Sequence, residues 1–368
     1  MVRSHPSAIT KTMRTPKYTI TNLLLKYIVK YEISISEFKH RQLPEKYQFF
    51  LEEKLGAEDI QSLGAMVGNP IGYNQSLLIQ RGQEMPSQKK TFRLFTNFRN
   101  VKDFVKSYDN TNSLKPSLDL AFHINKLAFK GIVDDWDLGK LRDLSKKPNE
   151  IYDTWYKVRD YYPKIDMQNH FNELFDWIVL GTDSNHKLVK MGILLYEFID
   201  KAPFLTGNQI TAIIMLEMLT KKYGYNPENI IPFFKSIENI NDDLLAAFKL
   251  SKSKMDLTTF LEALLYTLSL SAIETNREFK ETYDVKVRKR GSLELHLNQR
   301  QIKLLDYLAV NSKISRSKYT KMMGVSFMTS YRDLQDMVEK KYIKQKGRGR
   351  GTFYILAKEM TPKDEELI

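Results

Sequence analysis

The sequence contains no cysteine, which excludes a disulfide framework and thiolate chemistry. Glycine and proline are few, at 16 and 12 among 368 residues, and this composition favours a helical protein. No apolar run approaches the roughly 18 residues needed to cross a bilayer, and the N-terminus lacks the apolar core of a signal peptide. We therefore expect a soluble, mainly helical, cytoplasmic protein without a membrane contact.

The chain also has few histidines, and their positions exclude the common metal sites. All six are scattered along the sequence without metal-ligand spacing. The acidic group Asp134, Asp135 and Asp137 has neither the spacing nor the glycine of a calcium-binding loop, so we interpret it as a solvated turn. The sequence therefore predicts neither a metal ion nor another cofactor.

A turn between two apolar helices is the most informative segment of the chain. Apolar residues at helical spacing occupy 191–199 and again Ile210 to Leu219. Pro203 ends the first helix, and the turn at Gly207 and Asn208 starts the second. Backbone N–H groups are free at such a helix N-terminus, which makes Gly207 and Asn208 candidate ligands for a phosphate. An interhelical turn without a ligand is the alternative interpretation.

This turn resembles the signature of the Fic (Fido) family, whose active members read roughly HPFx(D/E)GNGRxxR and transfer AMP from ATP to a target hydroxyl group. Four positions match that signature: Pro203, Phe204, Gly207 and Asn208. Five positions that carry the family's chemistry differ: Ala202 replaces the catalytic His, Thr206 the acidic metal ligand, Gln209 the second glycine, and Ile210 and Ile213 the two phosphate-binding arginines. The resemblance implies a Fic-like site without its proton acceptor, its Mg²⁺ ligand or its cations.

The missing side chains predict a loss of catalysis. A positioned general base contributes roughly 10²–10⁴-fold, and electrostatic stabilisation of a transferring phosphoryl group is usually larger. Ala, Thr and Ile supply neither, so we expect activity near background. Ile210 and Ile213 would also place hydrocarbon against a triphosphate, and we expect weak ATP binding or none. ATP and Mg²⁺ are expected as ligands only if the chain retains transfer activity.

A second region, Leu43 to Tyr73, resembles the N-terminal part of many Fic proteins, where a helix carries an autoinhibitory glutamate. Residues 68–70 follow that pattern, but Val67 stands at the glutamate position. In the family this glutamate pairs with the second motif arginine, which corresponds here to Ile213. Replacing both partners of a buried ion pair by apolar groups can be neutral or stabilising. We therefore predict that Val67 and Ile213 pack against each other.

The C-terminal region, 296–357, has the pattern of a winged helix-turn-helix. A helix from Gln299 to Val310 is followed by two more, capped by Ser315 and Ser326 and separated by a turn at Gly324. The expected buried faces contain Tyr319 and Met322 in the second helix, and Tyr331, Leu334, Met337 and Val338 in the third. Two strands, Tyr342 to Ile343 and Thr352 to Leu356, flank a loop rich in glycine and arginine. The region is similar to the winged-helix domain at the C-terminus of many Fic proteins.

Positive charge is concentrated in this region. From Lys286 to Arg350 the chain has 17 Lys or Arg and five Asp or Glu, so the segment carries a net +12 of the chain's +13. This concentration is typical of a polyanion partner, because each cation that meets a phosphate releases counterions. We expect duplex DNA, with the third helix in the major groove and the wing on the backbone or minor groove. The candidate DNA-binding residues are Ser326, Met328, Thr329, Arg332, Lys344, Lys346, Arg348 and Arg350.

These patterns predict a mainly α protein: a Fic-like helical bundle with a small β-hairpin flap, followed by a winged helix of the α+β class. The flap is assigned to Gly139, Lys140, Leu141 and Arg142, which resemble the Fic segment on which target chains add as a strand. The predicted divisions are a flexible N-terminus (1–18), a helical N-terminal region (19–90), the core (91–285), a basic linker (286–295), the winged helix (296–357) and an acidic tail (358–368).

Three functions from different classes remain open. The first, which we favour, is a catalytically silent Fic-like regulator that binds DNA and whose core serves dimerisation, partner recognition or ligand sensing. The second is an AMP transferase with unconventional or residual activity. The third is a protein-interaction scaffold. A protein target and a homodimer stay open as partners.

Overall fold

The computed structural model describes ten ranges of the chain: 16–40, 45–83, 90–107, 115–148, 152, 166–181, 183–293, 297–311, 313–347 and 349–357. The chain divides into two compact units, 1–278 and 279–368. Most described residues lie in α-helices, and the described strands form one small sheet. The predicted mainly α fold class is therefore confirmed. The expected acidic tail and most of the expected flexible N-terminus lie outside the described residues.

Helices account for almost all regular structure of the first unit. Its helices are α1 (Asn22–Lys39), α2 (Glu45–Met66), α3 (Tyr73–Gln80), α4 (Lys90–Ser107), α5 (Leu118–Phe129), α6 (Met167–Leu180), α7 (Lys187–Lys201), α8 (Asn208–Lys222), α9 (Phe233–Glu238), α10 (Asn241–Lys254) and the start of α11 (Thr258–Leu293). Residues 286–293, which we expected as a linker, are the end of α11. None of the helices in the described ranges is long and apolar enough to span a bilayer.

The pair α7 and α8 forms the centre of the first unit. Every residue from Leu188 to Asp200 and from Asn208 to Thr220 is buried. A helix that is apolar on all sides is stable only when other elements surround it. Here α5, α4 and α9 pack against α8, while α6 packs against α7. The turn that joins α7 to α8 consequently lies inside the unit.

A buried group of charges joins four of these helices. Lys102 Nζ on α4 lies 2.9 Å from Asp59 Oδ2 on α2 and 2.5 Å from Glu217 Oε2 on α8. Asp59 Oδ1 accepts the backbone N–H groups of Phe234 and Lys235 at the start of α9, at 3.1 and 3.2 Å. Burial alone would lower the pKa of Lys102, but the two carboxylates outweigh it and raise that pKa. Lys102 therefore remains charged and ties the carboxylates together.

The second unit consists of three further helices and an antiparallel sheet. Its elements are α12 (Gln299–Val310), β1 (Ile314–Ser315), α13 (Arg316–Met323), α14 (Phe327–Glu339), β2 (Ile343–Lys346) and β3 (Phe353–Leu356). The strand order is β1-β3-β2, with Ile314 opposite Tyr354 and Ile343 opposite Leu356. The predicted helices, the Gly324 turn and the second predicted strand are confirmed, whereas the first, expected over Tyr342 to Ile343, runs from Ile343 to Lys346. Strand β1 was not predicted, because two residues are too few to show an alternating pattern.

The core of the second unit contains some, but not all, of the residues that we expected to be buried on α13 and α14. Tyr319, Leu334 and Met337 are fully buried in one cluster with residues of α12 and the sheet. Met322 and Tyr331, which we expected in the same faces, are 37% and 43% exposed. Spacing alone assigned them wrongly, because periodicity shows which residues share a helix face but not how much of that face is covered.

Candidate functional site: the α7–α8 turn and the outer face of α14

The turn between α7 and α8 begins with a strained residue. Ala202 follows the last residue of α7 with φ 42° and ψ 73°, a left-handed conformation, and its N–H donates to Phe198 O at 2.9 Å. A residue with a Cβ pays roughly 1–2 kcal/mol for this conformation, so the surroundings of Ala202 must hold it. Pro203 comes next and cannot continue a helix. Gly207 then starts α8 with φ 77°.

Two asparagines close the turn. Asn208 Oδ1 accepts the N–H of Phe204 at 2.7 Å, and Asn208 Nδ2 donates to Phe204 O at 2.9 Å. From α5, Asn125 Nδ2 donates to Thr206 O at 2.8 Å and to Thr211 Oγ1 at 3.2 Å. The side chain of Asn208, a candidate phosphate ligand, is thus engaged in holding the turn itself.

An aromatic ring covers Gly207. A Cβ placed on Gly207 would lie only 1.9 Å from a ring atom of Phe129, which is fully buried on α5. The ring therefore occupies the space that any side chain at this position would need. An anion placed against this side of Gly207 would have to displace Phe129.

The positions that differ from the Fic signature lie in the protein interior. Their exposed fractions are 2% for Ala202, 4% for Thr206 and Gln209, 1% for Ile210 and 0% for Ile213. None of these side chains can be ionised, and the aliphatic ones pack as core residues. The turn offers a reacting molecule neither a proton acceptor nor fixed positive charge at these positions.

Arg142 binds backbone carbonyl groups at the start of the turn. Its Nε donates to Ala202 O at 2.6 Å, and its Nη2 donates to Lys201 O at 3.3 Å. Nη1 donates to Lys146 O at 3.1 Å, and only 6% of the residue is exposed. These carbonyl groups include the C-terminal end of α7, which attracts positive charge. Arg142 therefore stabilises the end of α7 and the strained Ala202.

The segment expected as a flap is an irregular loop within the described residues. Gly139 N–H donates to Asn125 Oδ1 at 3.2 Å, and Arg142 N–H donates to Pro203 O at 2.8 Å. These donors bond to α5 and to the α7–α8 turn, so they are not free to pair with a neighbouring strand. All strands that the structure describes lie in the second unit.

A surface depression of about 320 Å³ lies beside the turn. It is lined by Asp137, Lys140, Leu141, Arg142, Asp143, Lys146 and Leu205. Hydrogen bonds from Ser145 lower the pKa of Asp143, which keeps this carboxylate charged. The lining therefore carries three cations and two carboxylates, a net charge of +1. Among the described residues no group of His, Cys, Asp and Glu could hold a metal ion.

The predicted contact between Val67 and Ile213 stays a prediction. Val67 is half-buried in the turn that follows α2, and Ile213 is fully buried on α8.

Sequence reasoning missed the buried charges Asp59, Lys102 and Glu217 altogether. The signal for them was Glu217, a single carboxylate within the apolar stretch Ile210 to Leu219. A charged residue in such a position needs a buried partner.

Most of the candidate DNA-binding residues lie on the surface of the second unit. Met328 and Arg332 are exposed on α14, with Ser326 exposed at its start and Thr329 half-buried. Ser326 Oγ accepts the N–H of Thr329 at 3.1 Å and so caps the helix. On β2, Lys344 and Lys346 are exposed, whereas Arg348 and the side chain of Arg350 lie outside the described residues.

Two of the three carboxylates of α14 are engaged in hydrogen bonds. Asp333 accepts hydrogen bonds from Arg300 Nε at 2.8 Å, Asn298 Nδ2 at 3.0 Å and Tyr319 Oη at 3.0 Å. Burial would raise the pKa of Asp333, but these bonds outweigh burial and lower it. Asp336 accepts from Gln301 and Lys340 at 2.7 and 2.8 Å. These two carboxylates are thereby paired with Arg300 and Lys340, whereas Glu339 at the end of α14 is exposed.

Sequence reasoning missed an aromatic pair on α14. Phe327 and Tyr331 are 56% and 43% exposed, and the guanidinium of Arg316 lies over both rings, 4.3 and 5.5 Å from their centres. The signal was their separation by four residues, which places two side chains on one helix face. We expected Tyr331 in the core and did not consider Phe327.

Solved structures of known proteins resemble this architecture. A Fic family protein from Desulfovibrio desulfuricans G20 superposes with a TM-score of 0.60 at 18% identity, over 96% of this chain and 100% of that one. Fic-1 from C. elegans gives a TM-score of 0.52 at 15% identity, over 71% of this chain and 74% of that one. The chain has the Fic fold. No family model matches its sequence, and no curated protein matches it.

The Fic fold brings the motif positions of the sequence into one place. The residues from Ala202 to Ile213 form the end of α7, the buried turn and the first turns of α8. The turn is preserved by Asn208 and Gly207, both of which match the family signature. The resemblance to the Fic family, suggested by four matching residues of the turn, therefore extends to the whole fold.

Proposed function

We propose that this Fic-fold protein is catalytically silent and regulates transcription by binding duplex DNA through a winged helix-turn-helix in its second unit. The order of elements supports this: α12, β1, α13 and α14 are followed by the antiparallel pair β2 and β3. In that class of domain the helix after the turn enters the major groove and the hairpin contacts the backbone or minor groove. Here those elements are α14 and the loop from β2 to β3.

The outer face of α14 is the observation that carries the proposal. Arg332 is exposed there, and Lys344 and Lys346 are exposed on the adjacent strand. Asp333 is buried and pairs with Arg300, and Asp336 pairs with Lys340, so neither is an unpaired negative charge beside these cations. A surface with exposed cations and neutralised carboxylates attracts phosphate groups.

Catalytic silence is supported by the α7–α8 turn. Ala202 cannot accept a proton, and Ile210 and Ile213 cannot neutralise a phosphoryl group. Phe129 packs on Gly207, the residue that starts α8. The first unit then has a binding role: it serves dimerisation, it binds a partner protein, or it senses a ligand.

A selection of duplex sequences tests DNA binding directly. The intact protein would be used to select duplexes from a random pool, and the dissociation constant of the best one measured as a function of salt. Charge reversal of a phosphate contact weakens binding and lowers the salt slope by about one per contact. We expect this for Arg332→Glu and Lys344→Glu. Lys249→Glu reverses an exposed charge of the first unit and serves as the control.

The outcomes separate the three functions. Unchanged affinity and slope in Arg332→Glu and Lys344→Glu would exclude α14 and β2 as the DNA surface. Failure of the intact protein to retain any duplex at low salt would favour a protein-interaction scaffold. Transfer of a labelled nucleotide to any protein, abolished when the turn at Gly207 is disrupted, would restore the AMP transferase.

A further inference from the structure

The first turns of α14 expose apolar side chains in an otherwise basic surface. Phe327 and Met328 follow the N-cap Ser326 and are 56% and 61% exposed, and Tyr331 is 43% exposed one turn later. Arg316 stacks over the rings of Phe327 and Tyr331 and occupies one side of this patch. Met328 is not part of that stack. It is the most exposed apolar residue of the helix.

The charges beside Met328 indicate the kind of molecule that covers it. Arg332 is exposed one turn further along the helix, and Arg316 lies over the rings of Phe327 and Tyr331. The carboxylate nearest in sequence, Asp333, is 6% exposed and is held by Arg300, Asn298 and Tyr319. The patch is therefore apolar in its centre and cationic at its edges. It complements a partner that presents an apolar group between negative charges.

Duplex DNA presents one such group. In the major groove the only apolar substituent on a base edge is the C5 methyl of thymine, and it lies between two rows of phosphates. A flexible methionine at the second position of a recognition helix can reach this methyl while cations on either side contact phosphate. An apolar protein surface would not need the cations, so we take DNA as the occupant.

We propose that Met328 is a specificity-determining residue that reads a thymine C5 methyl group in the major groove. This inference rests on the proposed function, because it requires α14 to enter that groove. Met328 excludes water from the thymine methyl, and Arg332 contacts the neighbouring phosphate or base edge. Sites with thymine at one defined position are therefore preferred over sites with cytosine or uracil there.

Replacing thymine by deoxyuridine removes the methyl and leaves base pairing intact. The best duplex from the selection would be synthesised with each thymine replaced in turn, and binding to the intact protein measured at fixed salt. At the thymine that Met328 contacts, we expect the replacement to weaken binding about fourfold. This is the effect of uncovering one methylene-sized group. In Met328→Ala the thymine and uracil duplexes should bind equally. Met322→Ala, which removes a 37% exposed methionine from α13, should retain the full preference.

Each outcome either supports or overturns this role of Met328. A uracil effect that persists unchanged in Met328→Ala would mean that another residue reads the methyl. Absence of any uracil effect, in a protein that binds the selected duplex with a normal salt slope, would overturn methyl recognition and leave the proposed function standing. No binding of any duplex by the intact protein would overturn both.

Discussion

At the scale of single residues, Gly207 combines a left-handed backbone conformation with close packing against a distant aromatic ring. Its φ of 77° is a left-handed conformation that glycine adopts without strain, and the sequence predicted a turn there. The sequence did not predict Phe129, which lies 78 positions earlier and packs directly on Gly207. The neighbouring residues determine the turn, whereas the packing of Phe129 against Gly207 depends on the tertiary fold.

The substitution Gly207→Ala tests that packing. We expect a loss of about 3 kcal/mol or more in the free energy of unfolding, because a Cβ adds both backbone strain and a clash with the Phe129 ring. Gly68→Ala is the matched control in the same unit, since Gly68 has φ 68° and a Cβ added there would meet nothing within 4 Å. It should lose only about 1 kcal/mol. Chemical denaturation followed by tryptophan fluorescence measures both, and equal losses would mean that the ring moves aside freely.

At the scale of elements, the start of α14 was predicted but its packing was not. Ser326 and the spacing of Leu334 and Met337 defined the helix, and the structure confirms its start and its inner face. Tyr331 was placed wrongly because periodicity shows which residues share a face, but not how far a neighbouring helix covers that face. The cation stack on Tyr331 comes from α13 and is visible only in three dimensions.

The hydrogen bonds of Asp333 predict a pH dependence of the second unit. The folded pKa of Asp333 is lowered, so its contribution to stability is present above the unfolded value of about 3.9 and is lost as the pH falls through the folded pKa. We expect Asp333→Asn to lose about 2 kcal/mol at neutral pH. Below about pH 4 the difference between variant and wild type should shrink.

Hydrogen exchange of the α12, α13 and α14 amides in the intact protein, corrected for intrinsic rates, measures this effect. Glu339→Gln removes an exposed carboxylate from the same helix and is the control. A difference between Asp333→Asn and wild type that stays constant from pH 7 to about pH 3 would show that the carboxylate charge is not the stabilising feature.

At the scale of the whole molecule, the two units carry different chemistry. The segment from Lys286 to Arg350 holds nearly all of the net positive charge, so the rest of the chain is almost neutral. The first unit instead buries its charges in pairs and groups such as Lys102 with Asp59 and Glu217. A polyanion should therefore bind the second unit, and the first unit should be insensitive to nucleotides.

A thermal shift measurement tests the second expectation. A ligand at 1,000 times its dissociation constant stabilises a protein by about 4 kcal/mol, so about 1 mM ATP with Mg²⁺ would raise Tm clearly if binding were micromolar. We expect no change in Tm, because Ile210, Ile213 and Phe129 surround the turn with hydrocarbon. A saturable rise in Tm with ATP that is absent with Mg²⁺ alone would contradict a closed site.

The sequence by itself determined the features that depend on neighbouring residues. Helix periodicity, the caps Ser315 and Ser326 and the turns at Gly207 and Gly324 were all readable, because backbone conformation is largely a local property. The four signature positions also sufficed to suggest the Fic fold.

Only the tertiary structure decided which distant groups meet. Phe129 covers Gly207, Arg142 binds the carbonyl groups of Ala202 and Lys201, and Arg316 stacks on the rings of α14. Such contacts depend on how helices pack, and packing joins residues whose separation along the chain carries no pattern. For the same reason the sequence showed that reactive side chains are missing from the turn, but only the fold showed that core side chains occupy it.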